Sequence, residues 1–306
     1  NNYIEKFEPE AFEGLNNLRK LDAENNELKL ISTKMFQFSD KIVQLSLKNN
    51  NIKEIEVDSF AGSLLDLYLN DNRLERIKNE YFANLNRLRI LDLSKNQISS
   101  IEIRSFINLT EINYLNLADN CLFKIDPIIF RQLSKIRILD LSSNKFKVIR
   151  ANWFETLTNL DELYLNFNNI QDFKPKTFSK LINLKKIYLK NNYLQDIDNL
   201  FYSNQLELID LSNNLISNFN ISILNASILN LRTLRNLNLA NNLIEFLIVR
   251  NDLTDLELSD NKNLKQLVFS TVQNIQLRNL NIRNTSAELI ASLNFSLFRR
   301  LEILDL

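Results

Sequence analysis

The stretch LRILDLSKNQI, from Leu88 to Ile98, decides how this chain folds. It reads as L-x-x-L-x-L-x-x-N-x-L, and the same string returns as IRILDLSSNKF at Ile136–Phe146 and LDELYLNFNNI at Leu160–Ile170. Working outward, its asparagine falls at Asn2, Asn26, Asn50, Asn72, Asn96, Asn120, Asn144, Asn168, Asn192, Asn214, Asn242 and Asn261, with Thr285 taking the place in the next unit. The steps are mostly 24 residues, with two of 22, one of 28 and one of 19. So many matches in one register exclude chance and make the chain an array of stacked units.

Each part of the string has a physical reading. The L-x-L alternation calls for a short strand with one buried face, and x-x-N-x-L turns the chain inward again. An asparagine repeated at that turn can bond its side-chain amide to backbone groups of its own coil and the next, which stacked parallel coils otherwise leave unpaired. No coil can bury its own apolar face, so the strands are expected to stack in parallel, roughly 4.8 Å apart. A second column, Phe12, Phe36, Phe60, Phe82, Phe106, Phe130, Phe154 and Phe178, followed more loosely by Phe201, fits an aromatic spine inside the opposite, convex side. Segments such as Phe130–Lys135 leave room for a helical turn or irregular coil but not for a full helix pair.

These residues resemble the leucine-rich repeat family, in the 24-residue subtype typical of extracellular proteins. The resemblance covers essentially the whole chain, and the Phe column and repeat length are similar to those of Toll-like receptor ectodomains and secreted insect immune proteins. It implies an α/β-type solenoid, a horseshoe with a parallel concave sheet of about 13 strands and a convex side of loops, short helical turns and the Phe spine. Residues 1–306 are expected to form a single solenoid, regular through about Asn214 and irregular over 215–306. The chain opens at the turn of one repeat and stops at Leu306 inside another, with neither end cap, and is expected to be a fragment of a longer protein.

Composition removes several functions. With no His and one Cys, the chain has no Ser-His-Asp arrangement, no His-containing metal site, no internal disulfide and no Cys-based zinc site. No cofactor is expected. The 37 Lys and Arg balance 37 Asp and Glu, which gives no general pull toward nucleic acid. No apolar run approaches the length of a membrane span, so this segment is expected to make no membrane contact.

What remains is a non-enzymatic binding protein, whose concave strand positions face solvent. Tyr114, Ile138, Tyr164, Phe167 and Tyr188 are expected to gather there into one amphipathic patch that binds a protein partner, since folding does not require apolar side chains at such positions. Cross-strand packing alone is the other reading of the same residues. Asp92 and Asp140, two coils apart, have near-glycosidase spacing, but an open sheet offers no pocket to shift a pKa. Cys121 is expected to be partly exposed, either as a free thiol or as an intermolecular disulfide in a homo- or heterodimer. Sequons occur at Asn108, Asn220, Asn225, Asn284 and Asn294, but with 48 Asn in the chain this many arise by chance. The resemblance therefore carries the expected localisation, an extracellular innate-immune protein or receptor ectodomain, with an adhesion or guidance receptor ectodomain and an intracellular scaffold as alternatives.

Overall fold

The computed structural model describes residues 2–33, 35–36, 41–174, 176–197, 203, 205–220, 233–249, 252–269 and 275–306, so Phe201 and Asn225 lie outside it. The chain divides into two compact units, Asn1–Phe146 with Asn152–Leu160, and Lys147–Ala151 with Asp161–Leu306. In the first unit Lys20–Asp22, Gln44–Ser46, Asp66–Tyr68, Ile90–Asp92, Tyr114–Asn116 and Ile138–Asp140 pair in chain order, all parallel. In the second, Glu162–Tyr164, Lys186–Tyr188, Leu208–Asp210, Asn236–Asn238, Asp255–Glu257, Asn279–Asn281 and Ile303–Asp305 do the same. The parallel solenoid and its 13 main-sheet strands agree with the expected fold class.

The strands are three residues long because only one residue in each points inward. Leu91, Leu115 and Leu139 in the first unit and Leu163, Ile187 and Leu237 in the second are buried, while their strand neighbours on either side are half exposed. The Phe column is buried at every expected position from Phe12 to Phe178. In the first unit Phe60, Phe82 and Phe106 stack at centroid spacings of 6.3 and 6.2 Å, the geometry of a continuous aromatic spine.

The sides away from the main sheets differ between the units. The first carries two-stranded pairs, Leu30–Ile31 with Glu54–Ile55 and Arg76–Ile77 with Ser100–Ile101, and 3₁₀ turns at Pro127–Phe130 and Ala151–Phe154, the latter built partly from residues of the second unit. The second carries the pair Val148–Ile149 with Asp172–Phe173. Beyond Asn214, where the repeat becomes irregular, Asn218–Asn220, Phe246–Val249 and Gln266–Phe269 pair as a three-stranded parallel sheet, and a short helix, Ala287–Ser292, and a 3₁₀ turn, Phe295–Leu297, follow.

The repeat asparagine stitches the coils together. Asn120 Nδ2 donates to the carbonyls of Leu93 in the preceding coil and of Leu117 and Ala118 in its own, at 3.0–3.1 Å. Its Oδ1 accepts the Ile98 N–H at 2.9 Å, so one buried amide serves four backbone groups. The same set recurs at Asn50, Asn72, Asn96 and Asn144 in the first unit, and at Asn192, Asn214, Asn242 and Asn261 in the second. Thr285, too short for this, donates its hydroxyl to the Ile282 carbonyl of its own coil.

Asn120→Ala should leave these buried groups unpaired, and at about 1–3 kcal/mol for each stranded group it should cost at least ~3 kcal/mol in urea unfolding. Asn26→Ala, whose half-buried amide bonds the Ala23 and Glu24 carbonyls and the Ile4 N–H, should cost clearly less. Equal costs would remove the ladder from its central place. Leu139→Ala should open a core cavity costing about 2–5 kcal/mol, and a cost below ~0.5 kcal/mol would overturn the register.

Candidate functional site

The strand exits set the geometry of the open face. Before each repeat asparagine the chain turns through a residue with φ between +51° and +61°, at Asn25, Asn49, Asp71, Lys95, Asp119, Ser143, Phe167, Asn191, Asn213, Asn241, Asp260 and Asn284. Nine of these twelve are Asn or Asp, the residues that tolerate a left-handed backbone best after glycine. Phe167 is the outlier. It takes the strained conformation with a bulky ring that is 55% exposed, so neither backbone preference nor core packing accounts for it.

The outward residues at the strand ends do a second job. Asp92 Oδ1 accepts the N–H and hydroxyl of Ser94, Asp140 Oδ1 accepts the Ser142 N–H, and Asp210 Oδ1 accepts the N–H and hydroxyl of Ser212. Asn116, Asn238 and Asn281 accept the N–H two residues on in the same way. These are Asx turns, in which a short side chain satisfies the backbone where the strand stops. Asp92 and Asp140 are therefore accounted for as caps. Burial pushes the Asp140 carboxyl up, with the Asp92 charge adding and the Ser142 hydrogen bonds opposing.

Tyrosine cannot make that turn. At Tyr188 the missing bond is supplied by the preceding coil: Asn166 Oδ1 accepts the Lys190 N–H at 2.9 Å. The Tyr188 ring lies parallel to that of Tyr164, with centroids 4.5 Å apart and planes 5° from parallel, as their direct pairing in register allows. Tyr164 Oη donates to Glu162 Oε2 at 2.6 Å, and Lys186 Nζ bonds Glu162 Oε1 at 2.9 Å. Burial pushes the Tyr164 phenol well above its ordinary range, and the bond to the Glu162 carboxylate adds to this. Partial burial works to raise Glu162, but the bonds from Tyr164 and Lys186 outweigh it and hold the carboxyl below the usual carboxylate range. The bond to Glu162 holds the Lys186 ammonium above its ordinary value. Two aromatic rings are thus locked side by side on a half-exposed sheet face, with a charged pair at one edge.

Tyr114 and Ile138 pair in register on the first unit's sheet, where burial and then the nearby Asp92 and Asp140 push the Tyr114 phenol up. Phe167 lies past the end of the Glu162–Tyr164 strand, on the turn. Cys121 is a half-exposed free thiol. Asn108 is exposed and donates to the Ala83 carbonyl, Asn284 sits on a turn with its amide on Asp260, and Asn294 is exposed and caps the Phe295–Leu297 turn. Asn220 ends the Asn218–Asn220 strand. Among the described residues no group of three His, Cys, Asp or Glu side chains gathers to hold a metal ion, and no helix is long and apolar enough to cross a membrane.

Comparison with known proteins agrees with this architecture. The Leucine rich repeat family pattern matches residues 1–52, 62–122, 112–170 and 158–216. Lumican from Gallus gallus is 34% identical over 93 residues, 30% of this chain and 27% of lumican, so the match spans well under a third of that relative. Among solved structures, the leucine-rich repeat domain of APL1B is similar with a TM-score of 0.64 and 19% identity, over 99% of this chain and 79% of that one. The TLR13–ssRNA13 complex is similar with a TM-score of 0.62 and 22% identity, over 99% of this chain and 47% of the receptor chain. At such identities the likeness shows the fold.

Two measurements test the site. Ionised Glu162 contributes stability above the ordinary carboxylate range and loses it as pH falls through its depressed folded value, so between about pH 6 and 3 the wild type should lose stability relative to Glu162→Gln. Parallel pH profiles would remove the proposed coupling. Phe167→Asn should raise stability by about 0.5–1 kcal/mol by relieving the turn, and a loss above ~1 kcal/mol would show that the ring serves folding.

Proposed function

Because the chain belongs to the leucine-rich repeat family, we propose that it is a non-enzymatic recognition module that binds a protein partner through the open face of its main sheet, with Tyr164 and Tyr188 as the anchor. The observation that carries this reading is the stacked tyrosine pair itself. It occupies positions where neighbouring coils place capping Asp and Asn, and Asn166 is needed to repair the backbone at one of them. Aromatic rings held rigidly by neighbours lose little entropy on binding and supply much of the energy of protein interfaces. Phe167 adds an exposed ring at the turn of the same coil, and Tyr114 with Ile138 adds a smaller apolar pair on the first unit.

The setting we propose is extracellular, in an innate-immune protein or a receptor ectodomain. The 24-residue spacing supports it, and so does the likeness of fold to a Toll-like receptor and to APL1B. An adhesion or guidance ectodomain is the second reading. The local similarity to lumican favours an extracellular setting without an immune role. In this setting Asn108 is the best placed glycan acceptor and Cys121 the residue able to link two chains.

Tyr164→Ala and Tyr188→Ala should each weaken binding to a partner recovered with the full-length wild-type protein by at least fivefold, about 1 kcal/mol, with thermal stability nearly unchanged. Unchanged affinity in both would move the site elsewhere. For the setting, the full-length protein made in eukaryotic cells should appear in the medium and lose mass on deglycosylation. An unmodified chain retained in the cytosol would overturn the extracellular reading.

A further inference from the structure

One face of the stacked tyrosine pair is still open. Tyr164 covers one side of the Tyr188 ring, with centroids 4.5 Å apart and planes 5° from parallel. The opposite side is turned toward the Leu208–Asp210 strand, which pairs in register so that Tyr188 stands against Asp210. Asp210 is too short to cover a phenol ring, and its Oδ1 is turned onto the N–H and hydroxyl of Ser212 as a cap. Among the described residues Tyr164 is the one ring stacked on Tyr188, and no cation lies over it.

That open ring face is one wall of a cavity of about 380 Å³ on the sheet of the second unit. Asp210, Asp255, Glu257 and Asp305 line it, and no Lys or Arg does. The partners these carboxylates have are neutral. Asp255 accepts from the Thr254 hydroxyl and the Asn279 amide, and Glu257 from the Ser259 N–H and the Asn281 amide. Among the described residues none of the four is in an ion pair, and Lys186 on the neighbouring strand is bound to Glu162 instead. A positive group on a partner would therefore meet four carboxylates without first breaking an ion pair.

We infer that this cavity holds an arginine side chain of the protein partner, its guanidinium lying flat on the open face of Tyr188 with Asp210 beside it. The inference rests on the open-face reading and names the chemistry of the partner that face takes. Carboxylates alone would attract any cation, and the ring narrows the choice. A guanidinium is planar and weakly hydrated, so it stacks on an aromatic face and continues the tyrosine stack, whereas a lysine ammonium is a compact, strongly hydrated charge that gains less there. The N–H fork of arginine also suits Asp210 Oδ2, which the Ser212 cap does not use. Leu208, on the same face of that strand, offers apolar surface to the methylenes of the arginine stem. Tyr164, behind Tyr188, holds the ring in place before the partner arrives.

The test is fluorine NMR of the full-length chain carrying meta-fluorotyrosine, with the Tyr188 resonance assigned from Tyr188→Phe. The probes are acetyl-Gly-Arg-Gly-Arg-Gly-amide, its lysine and citrulline counterparts, and maltohexaose. The arginine peptide should shift the Tyr188 signal saturably and bind roughly threefold or more tighter than the lysine peptide, while the neutral citrulline peptide leaves the signal in place. Asp210→Asn should weaken the arginine peptide by roughly threefold or more at an unchanged thermal midpoint, because Asn238 makes the same cap in the next coil. It should also weaken the partner recovered with the full-length wild-type protein. If Tyr188→Ala weakens that partner and Asp210→Asn does not, the arginine site fails while the open-face reading stands; if neither does, both fall. No saturable shift, equal affinity for the lysine or citrulline peptide, or a response to maltohexaose in place of the arginine peptide would each overturn the arginine site, the last in favour of a neutral saccharide.

Discussion

One buried amide per coil is the constraint on which the rest depends. A parallel stack of three-residue strands leaves backbone carbonyls and N–H groups inside the turns, where no water reaches them, and an unpaired buried group costs about 1–3 kcal/mol. Asparagine meets this need because its side chain carries a donor end and an acceptor end. In Asn120 the donor end bonds both coils while the acceptor end takes the N–H of the coil before. Leucine would leave all of these groups unpaired, and aspartate would offer no donor. The apolar core then stacks coil on coil, and inward residues such as Leu115 and Leu139, paired in register on neighbouring strands, are fully buried.

Once that amide is placed, the turn before it must be left-handed and the strand end must be capped. Most coils meet both demands with Asn or Asp, which explains much of the asparagine in this chain beyond the ladder itself. These demands also make departures informative. A ring at the strained turn of Phe167, or a tyrosine where a cap belongs, works against local folding preference. Positions where the local rules are broken and the neighbours compensate are where function is most often found.

The repeat, the strand register, the Phe spine and the buried ladder were all legible in the sequence, because each is a column of one residue type at constant spacing. The left-handed turns were not read from the sequence, although nine of their twelve residues are Asn or Asp beside the ladder, because only the backbone shows that they share one φ. The capping role of Asp92 and Asp140 was not legible, since a carboxylate on a strand reads the same whether it bonds its own backbone or faces solvent. The parallel stacking of Tyr164 on Tyr188 follows from register, yet its tie through Glu162 to Lys186 depends on rotamers that no spacing encodes. Phe167 looked like a sheet residue because counting along the string does not show where a three-residue strand ends. The three-stranded sheet beyond Asn214 was visible only as a loss of regularity.

The solenoid separates two kinds of freedom. Inward positions answer to the core and the ladder, so their residues are nearly determined. Outward positions on the sheet answer only to the cap, and those just past the repeat asparagine answer to almost nothing, so selection for contact acts there with the least cost to folding. In the second unit the sheet positions depart from the polar default toward stacked tyrosines, a departure that folding does not require.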